Sequence, residues 1–231
     1  MAQPFTTTRT TRLLRGRGLV ALAARRLRAT AGGRIAAIAS VPIALAFAGI
    51  AVALRSADGA RSPLEGLVPL AATWLAWAAA APLALSAARD RRLLDRREGL
   101  DALAAARGFS SSALEAARAL GAMTTIATAL GAPLVLLTLF TAALAESLPL
   151  AVARLGLAAL AAVFAVIVGV TLGGLASICA RLGRARGRLL LFAVVAGPWM
   201  LADLLGHGAW SIPGALAAVL DFTLRRGQSL A

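Results

Sequence analysis

All 24 basic side chains of this 231-residue chain are arginine, and long apolar runs exclude every one of them. That segregation constrains the fold more than any other feature. An arginine at the centre of a membrane helix costs about 2.5–3.5 kcal/mol on insertion scales. Apolar runs near 20 residues long and free of arginine therefore read as bilayer-crossing helices. Five runs qualify, at 35–54, 67–88, 119–144, 155–180 and 189–205. A sixth, 210–224, is shorter, with Pro213 and Gly214 near its start and Asp221 near its end. It reads either as a mismatched span or as a re-entrant helix. Arg225 and Arg226 follow directly, which favours a span ending on the basic side. The expected fold class is all-α, a polytopic membrane protein in which residues 35–231 form one transmembrane domain behind a basic stretch at 1–34.

Composition agrees. The chain is 60% hydrophobic and 15% charged, against about 25% charged in ordinary soluble domains, and its mean hydropathy is +0.82. A net charge of +14 would flag nucleic acid in a soluble protein. Here topology accounts for it. With six spans and a cytoplasmic N-terminus, 21 arginines fall in segments on the inner side, leaving Arg55, Arg61 and Arg154 outside beside Asp58, Glu65 and Glu146. The positive-inside rule predicts both termini in the cytoplasm, and attraction to anionic lipid follows from the same charge. The predicted partner of this charge is the lipid bilayer, not nucleic acid.

Absences narrow the chemistry. Without lysine there is no P-loop lysine and no Schiff-base amine. One histidine, His207, and one cysteine, Cys179, cannot build a Cys/His zinc site or an internal disulfide. Cys179 lies in an apolar run and reads as a buried structural thiol, and His207, between Gly206 and Gly208, as a span-end residue. No catalytic, cofactor-binding or metal-binding set is expected, and any ATP hydrolysis must occur on another polypeptide.

Ahead of the first run, Leu19 to Arg28 places Leu19, Val20, Ala23 and Leu27 on one side of a helix and Arg25, Arg26 and Arg28 on the other. This predicts an interfacial amphipathic helix. A mitochondrial transit peptide, also Arg-rich and acid-poor, is the rival, but the segment runs straight into a full-length span. Within the runs, Trp74 and Trp77 lie mid-span and read as packing residues. Gly169 and Gly173 form a GxxxG pair suited to close helix contact. Prolines at 42, 69, 82, 133, 198 and 213 mark kinks, half-helices or tolerated sites. Asp203 is a carboxylate inside the fifth run: it either contacts substrate, a proton or an arginine, or reaches water one turn from the outer boundary. Asp221 can pair with Arg225.

Residues 89–118 break the pattern, with seven arginines and five acids in thirty residues and Leu93, Leu94, Leu100, Leu103 and Leu114 threaded among them. Span two is expected to continue as helix through Leu94 into Arg97. Glu98-Gly99 interrupts it. Leu100 to Ala106 then forms a short crosswise helix, stopped around Gly108. Ser112-Ala113-Leu114-Glu115 reads as a capping box that starts a helix feeding into span three. A force on the crosswise helix would reach both neighbouring spans. The bland reading is a solvated loop with incidental amphipathicity.

The stretch DRREGLDALAAARGFSSSALEAARAL resembles the cytoplasmic loop of ABC-2 type transporter permeases. The resemblance rests on Glu98, Gly99, Leu100, Leu103, Gly108, Ser110 and Arg118: an acid and glycine, a leucine-bearing short helix, a turn with glycine then serine, and a basic residue entering the third span. The six-span layout extends it over nearly the whole chain. Size and compact loops are similar to the cytochrome c haem exporter B subgroup, although the segment after span five is shorter here. The resemblance implies a permease half in a bacterial inner membrane that pairs with a second half, identical or different. It also implies that an ABC-type ATPase subunit docks on Arg96, Arg97, Glu98, Gly99, Leu100, Leu103, Arg107, Gly108 and Phe109. Two other readings stay open. Ala106-Arg107-Gly108, with Ala185-Arg186-Gly187 as a second copy, is similar to motifs of energy-coupling-factor transmembrane components. A non-transport membrane scaffold is the third.

Overall fold

The computed structural model describes residues 9–58, 63–89, 98–145, 148–183 and 185–204. Among these the regular elements are all helical. Helix α1 is Arg9–Arg28 and α2 is Ala31–Asp58. Helix α3, Pro63–Leu75, passes through a π-helical turn, Ala76–Ala80, into α4, Ala81–Ala87. Helix α5 is Leu100–Ala106, α6 is Ser111–Ala143 and α7 is Leu148–Cys179. A 3-10 turn, Ala180–Leu182, leads to α8, Arg186–Leu204.

Helix α6 is the axis of the bundle. It lies along α7 and also touches α1, α2, α3, α4 and α5. Ile126, Leu130, Leu134 and Leu137 recur at spacings of four and three and form its buried stripe. Ala161, Ala165, Val168, Leu172 and Ala176 answer from α7 at the same spacings. The two backbones approach closely because the facing residues are small. A Cβ on Gly173 would lie 2.7 Å from the Met123 backbone nitrogen, and one on Gly169 would lie 2.6 Å from the Ala127 Cβ.

The burial pattern is inverted relative to a water-soluble bundle. Alanines fill much of the core, while Ile38, Val41, Leu45, Leu136, Val163 and Ile167 are exposed. In water such a band would be a large unpaired apolar patch. Against lipid tails it costs nothing, and small residues inside are what membrane helices need for close packing. Four segments are long and apolar enough to cross a membrane: Ala31–Ser56, Leu67–Ala87, Ser111–Ala143 and Leu148–Leu182. They cover the first four predicted spans except for Ala88 and Leu144. The fifth run forms α8, which opens on Arg186 and Arg188 and is not among the four. The run 210–224 and His207 lie outside the described residues.

Several sequence expectations shift. Helix α1 extends ten residues further toward the N-terminus than Leu19, and part of its apolar side packs on α6. Leu27 is buried, and a Cβ on Gly121 of α6 would lie 2.8 Å from the Ala23 Cβ. Thr30 explains how α1 turns directly into α2: its hydroxyl donates to the Leu27 carbonyl at 2.6 Å and accepts from the Gly33 N–H at 3.1 Å. The helix of span two stops at Ala87, short of the continuation through Leu94 that the sequence suggests. Helix α4 ends at Ala87, where Gly187 at the start of α8 packs against the Ala88 carbonyl; residues 90–97, including Arg96 and Arg97, lie outside the described residues. The cap of α6 is Ser110, not Ser112. Ser110 is extended (φ −75°, ψ 158°) and its hydroxyl accepts from the Ala113 N–H at 3.2 Å, so the helix starts two residues early, and Glu115 pairs with Arg181. Trp74 is 57% exposed, so it is not part of the chain's own buried core. The segment between the third and fourth runs is mostly helix, because α7 begins at Leu148.

The π-helical turn was not legible in advance. Pro82 has no N–H and its ring crowds the carbonyl one turn earlier. One wider turn just upstream, closed by the Ala81 N–H on the Ala76 carbonyl, absorbs the mismatch and places Trp77 within it.

Candidate functional site

The C-terminal parts of α1 and α4, all of α5, the start of α6 and the end of α7 gather at one end of the bundle, and arginines come with them. Helix α5 owes its bounds to two glycines. Gly99, its N-cap, has φ +69°, and Gly108, just past its end, has φ +77°. Side chains rarely adopt that backbone region. At the C-terminal end the Gly108 N–H donates to the Ala105 carbonyl and the Phe109 N–H to the Ala104 carbonyl, both at 2.9 Å. These two bonds form a Schellman stop. Gly108 therefore ends a helix by backbone geometry, and Phe109 half-buries itself where such a stop expects an apolar contact.

Three ion pairs tie α5 and its neighbours together. Arg26 of α1 pairs with Glu98. Arg118 of α6 pairs with Asp101 of α5 at 3.5 Å. Arg181, after α7, pairs with Glu115 of α6 at 3.7 Å. Partly exposed pairs contribute about 0–1 kcal/mol each, so their main effect is to orient the elements. Between α1, α5 and α6 lies a cleft of about 360 Å³. Leu19, Leu22, Leu27, Leu100, Leu103 and Leu114 give it apolar walls. Ala104 is buried beneath α5, whereas Leu103 is 51% exposed and Arg107 is exposed.

The expected docking residues Glu98, Gly99, Leu100, Leu103, Arg107, Gly108 and Phe109 are thus together on and around α5. Gly169 and Gly173 sit at the α6–α7 contact, away from this end. Asp203 falls on the last turn of α8, and its side chain lies outside the described residues. Among the described residues no cluster of three His, Cys, Asp or Glu side chains converges.

Sequence reasoning missed Arg26, Asp101, Glu115, Arg118 and Arg181 as a set. Arg26 and Glu98 are separated by 72 positions, and nothing local announces their meeting. It also missed the opposite end. Arg154 is only 6% exposed and donates to the Thr141 carbonyl at 2.7 Å, while Arg55 donates to the Leu144 carbonyl. Both cap the C-terminal end of α6, whose last carbonyls lack partners within the helix and carry the negative pole of its dipole. The two guanidiniums are helix caps at the end of the bundle away from α5.

This architecture defines the class of the chain: a helical membrane protein with an ordered, arginine-rich surface at one end of its bundle. No family model, curated protein or solved structure matches the chain.

Proposed function

We propose that the chain is the membrane-spanning subunit of an ABC-2 type transporter, with six spans and both termini in the cytoplasm of a bacterial inner membrane. On this reading a separate ATPase subunit docks on α5, and a second permease half completes the path for an apolar or amphipathic substrate. The observation that carries the reading is α5 itself. It is a seven-residue helix bounded by two positive-φ glycines, presenting Leu103 and Arg107 outward while Asp101 and Glu98 bind it to α6 and α1. A push on such an element passes directly into a membrane helix through a short lever. On this reading the hydrolytic step belongs to the partner, since the sequence has no lysine for a P-loop.

Purification from native membranes tests this. Wild-type chain retains a P-loop ATPase, read as vanadate-sensitive ATP hydrolysis, and Leu103→Asp with Arg107→Glu abolishes the retention. Both side chains are exposed, so the substitutions leave the buried core untouched. An ATPase that stays bound to the variant removes the docking argument. Wild type that captures none leaves a scaffold as the better reading. A small substrate-binding membrane subunit in the complex would instead favour the energy-coupling-factor class.

A further inference from the structure

The cleft beside α5 carries more charge than its ion pairs consume. Its lining contains five guanidiniums, Arg26, Arg89, Arg107, Arg118 and Arg181, and one carboxylate, Glu115. Glu98 and Asp101 hold Arg26 and Arg118 from outside the lining, and Glu115 holds Arg181. Arg89 and Arg107 make no ion pair among the described residues. Two guanidiniums without an ion pair among the described residues therefore line a cavity whose other walls are largely leucine and alanine.

The depth of the cleft matters as much as its charge. Ser112 and Glu115 line it at the start of α6, and Ala119 and Ala122 line it where the apolar run of that helix begins. The other walls are Ala87 at the end of α4, and Ser177 and Ala180 at the end of α7. The cavity thus passes from the level of the arginines into the level where the spans become apolar. Its volume of about 360 Å³ falls at the lower end of the range of small-molecule sites. A molecule that fits is apolar at one end and anionic at the other, and it lies at headgroup depth.

We propose that this cleft binds one acidic phospholipid of the surrounding bilayer, its phosphate between Arg89 and Arg107 and the upper part of an acyl chain against Leu19, Leu22 and Leu114. Basic pockets between membrane helices are where anionic headgroups bind. Bound there, the lipid bridges α1, α4 and α5 and adds a contact that the three ion pairs lack. Arg107 also belongs to the docking surface proposed above, so the test uses the isolated chain and its lipid, where no ATPase contributes.

The test uses the detergent-purified full chain mixed with micelles containing phosphatidylglycerol or phosphatidylcholine, and reads retained lipid per chain by native mass spectrometry. Wild type retains phosphatidylglycerol and little phosphatidylcholine. Arg89→Gln with Arg107→Gln weakens retention roughly thirtyfold, at about 1 kcal/mol per guanidinium lost. Arg186→Gln with Arg188→Gln, a pair outside the cleft, leaves it unchanged. Ala116→Trp, at an exposed position lining the cleft, lowers retention with every arginine in place. Equal losses from the two arginine pairs would show attraction to a basic surface only and overturn the site. So would retention that survives both Arg89→Gln with Arg107→Gln and Ala116→Trp. Displacement by inorganic phosphate, beyond that by chloride at the same ionic strength, would make it a phosphate site instead of a lipid site.

Discussion

Arg154 does at residue scale what no apolar side chain could do in its place. At 6% exposure its guanidinium is nearly sealed, yet it is satisfied by the end of a neighbouring helix, donating to Thr141 at 2.7 Å. The Phe140 and Ala142 carbonyls on either side are taken by the N–H groups of Leu144 and Ala145. Arg154 thus closes the carbonyl the backbone leaves open. Hydrogen bonds to charged groups contribute about 1.5–3 kcal/mol, and Arg154→Met should destabilise by about that amount. A lower midpoint of thermal unfolding in detergent, partly restored by Arg154→Lys, is the expected result; an unchanged midpoint would show that the cap is dispensable. Thr125, Thr138 and Thr141 solve the same problem locally, returning their hydroxyls to carbonyls three or four residues earlier in α6.

At the scale of elements, the decisive pairing is α6 with α7, and it depends on which glycine faces which helix. Gly173 and Gly156 both lie in α7, but only Gly173 meets a backbone. A Cβ there would sit 2.7 Å from the Met123 nitrogen, whereas at Gly156 nothing lies within 4 Å. Opposite outcomes are expected from one substitution. Gly173→Ala pries the helices apart and lowers the unfolding midpoint. Gly156→Ala gains helix propensity, about 0.5–1 kcal/mol, and raises or preserves it. Similar shifts for both variants would mean that the close approach contributes nothing. The GxxxG spacing named Gly169 and Gly173 in advance because small residues four apart share a face. It could not name Met123 and Ala127 as their partners, since no local pattern encodes which helix comes alongside. Helix α5 was legible to within its bounds for a related reason: a glycine forced into positive φ acts on its own neighbours. The capping serine was misplaced by two positions because three consecutive serines, Ser110, Ser111 and Ser112, offer equal chemistry.

For the whole molecule, the ion pairs bring the ends of α1, α5, α6 and α7 to one face, and Arg55 and Arg154 mark the other. Labelling from each side of the membrane checks this. In a Cys179→Ser background, Leu22→Cys and Leu103→Cys should react with an impermeant maleimide from the same side, and Leu148→Cys from the opposite side. All three leucines are exposed. Reaction of Leu103→Cys and Leu148→Cys from one side would dismantle the bundle as described.

Sequence alone determined that this chain is helical, that its first four long apolar runs form helices able to cross a bilayer, and that glycines bound a short helix between the second and third. Each is a local or one-dimensional property: an arginine excluded from an apolar run, a residue without a Cβ at a turn. Only the tertiary structure decided that α1 packs on Gly121, that Arg26 reaches Glu98, and that Arg55 and Arg154 close the end of α6. Those contacts join residues far apart in the chain, and arginine looks the same in sequence whether it caps a helix, pairs with an acid or faces a headgroup.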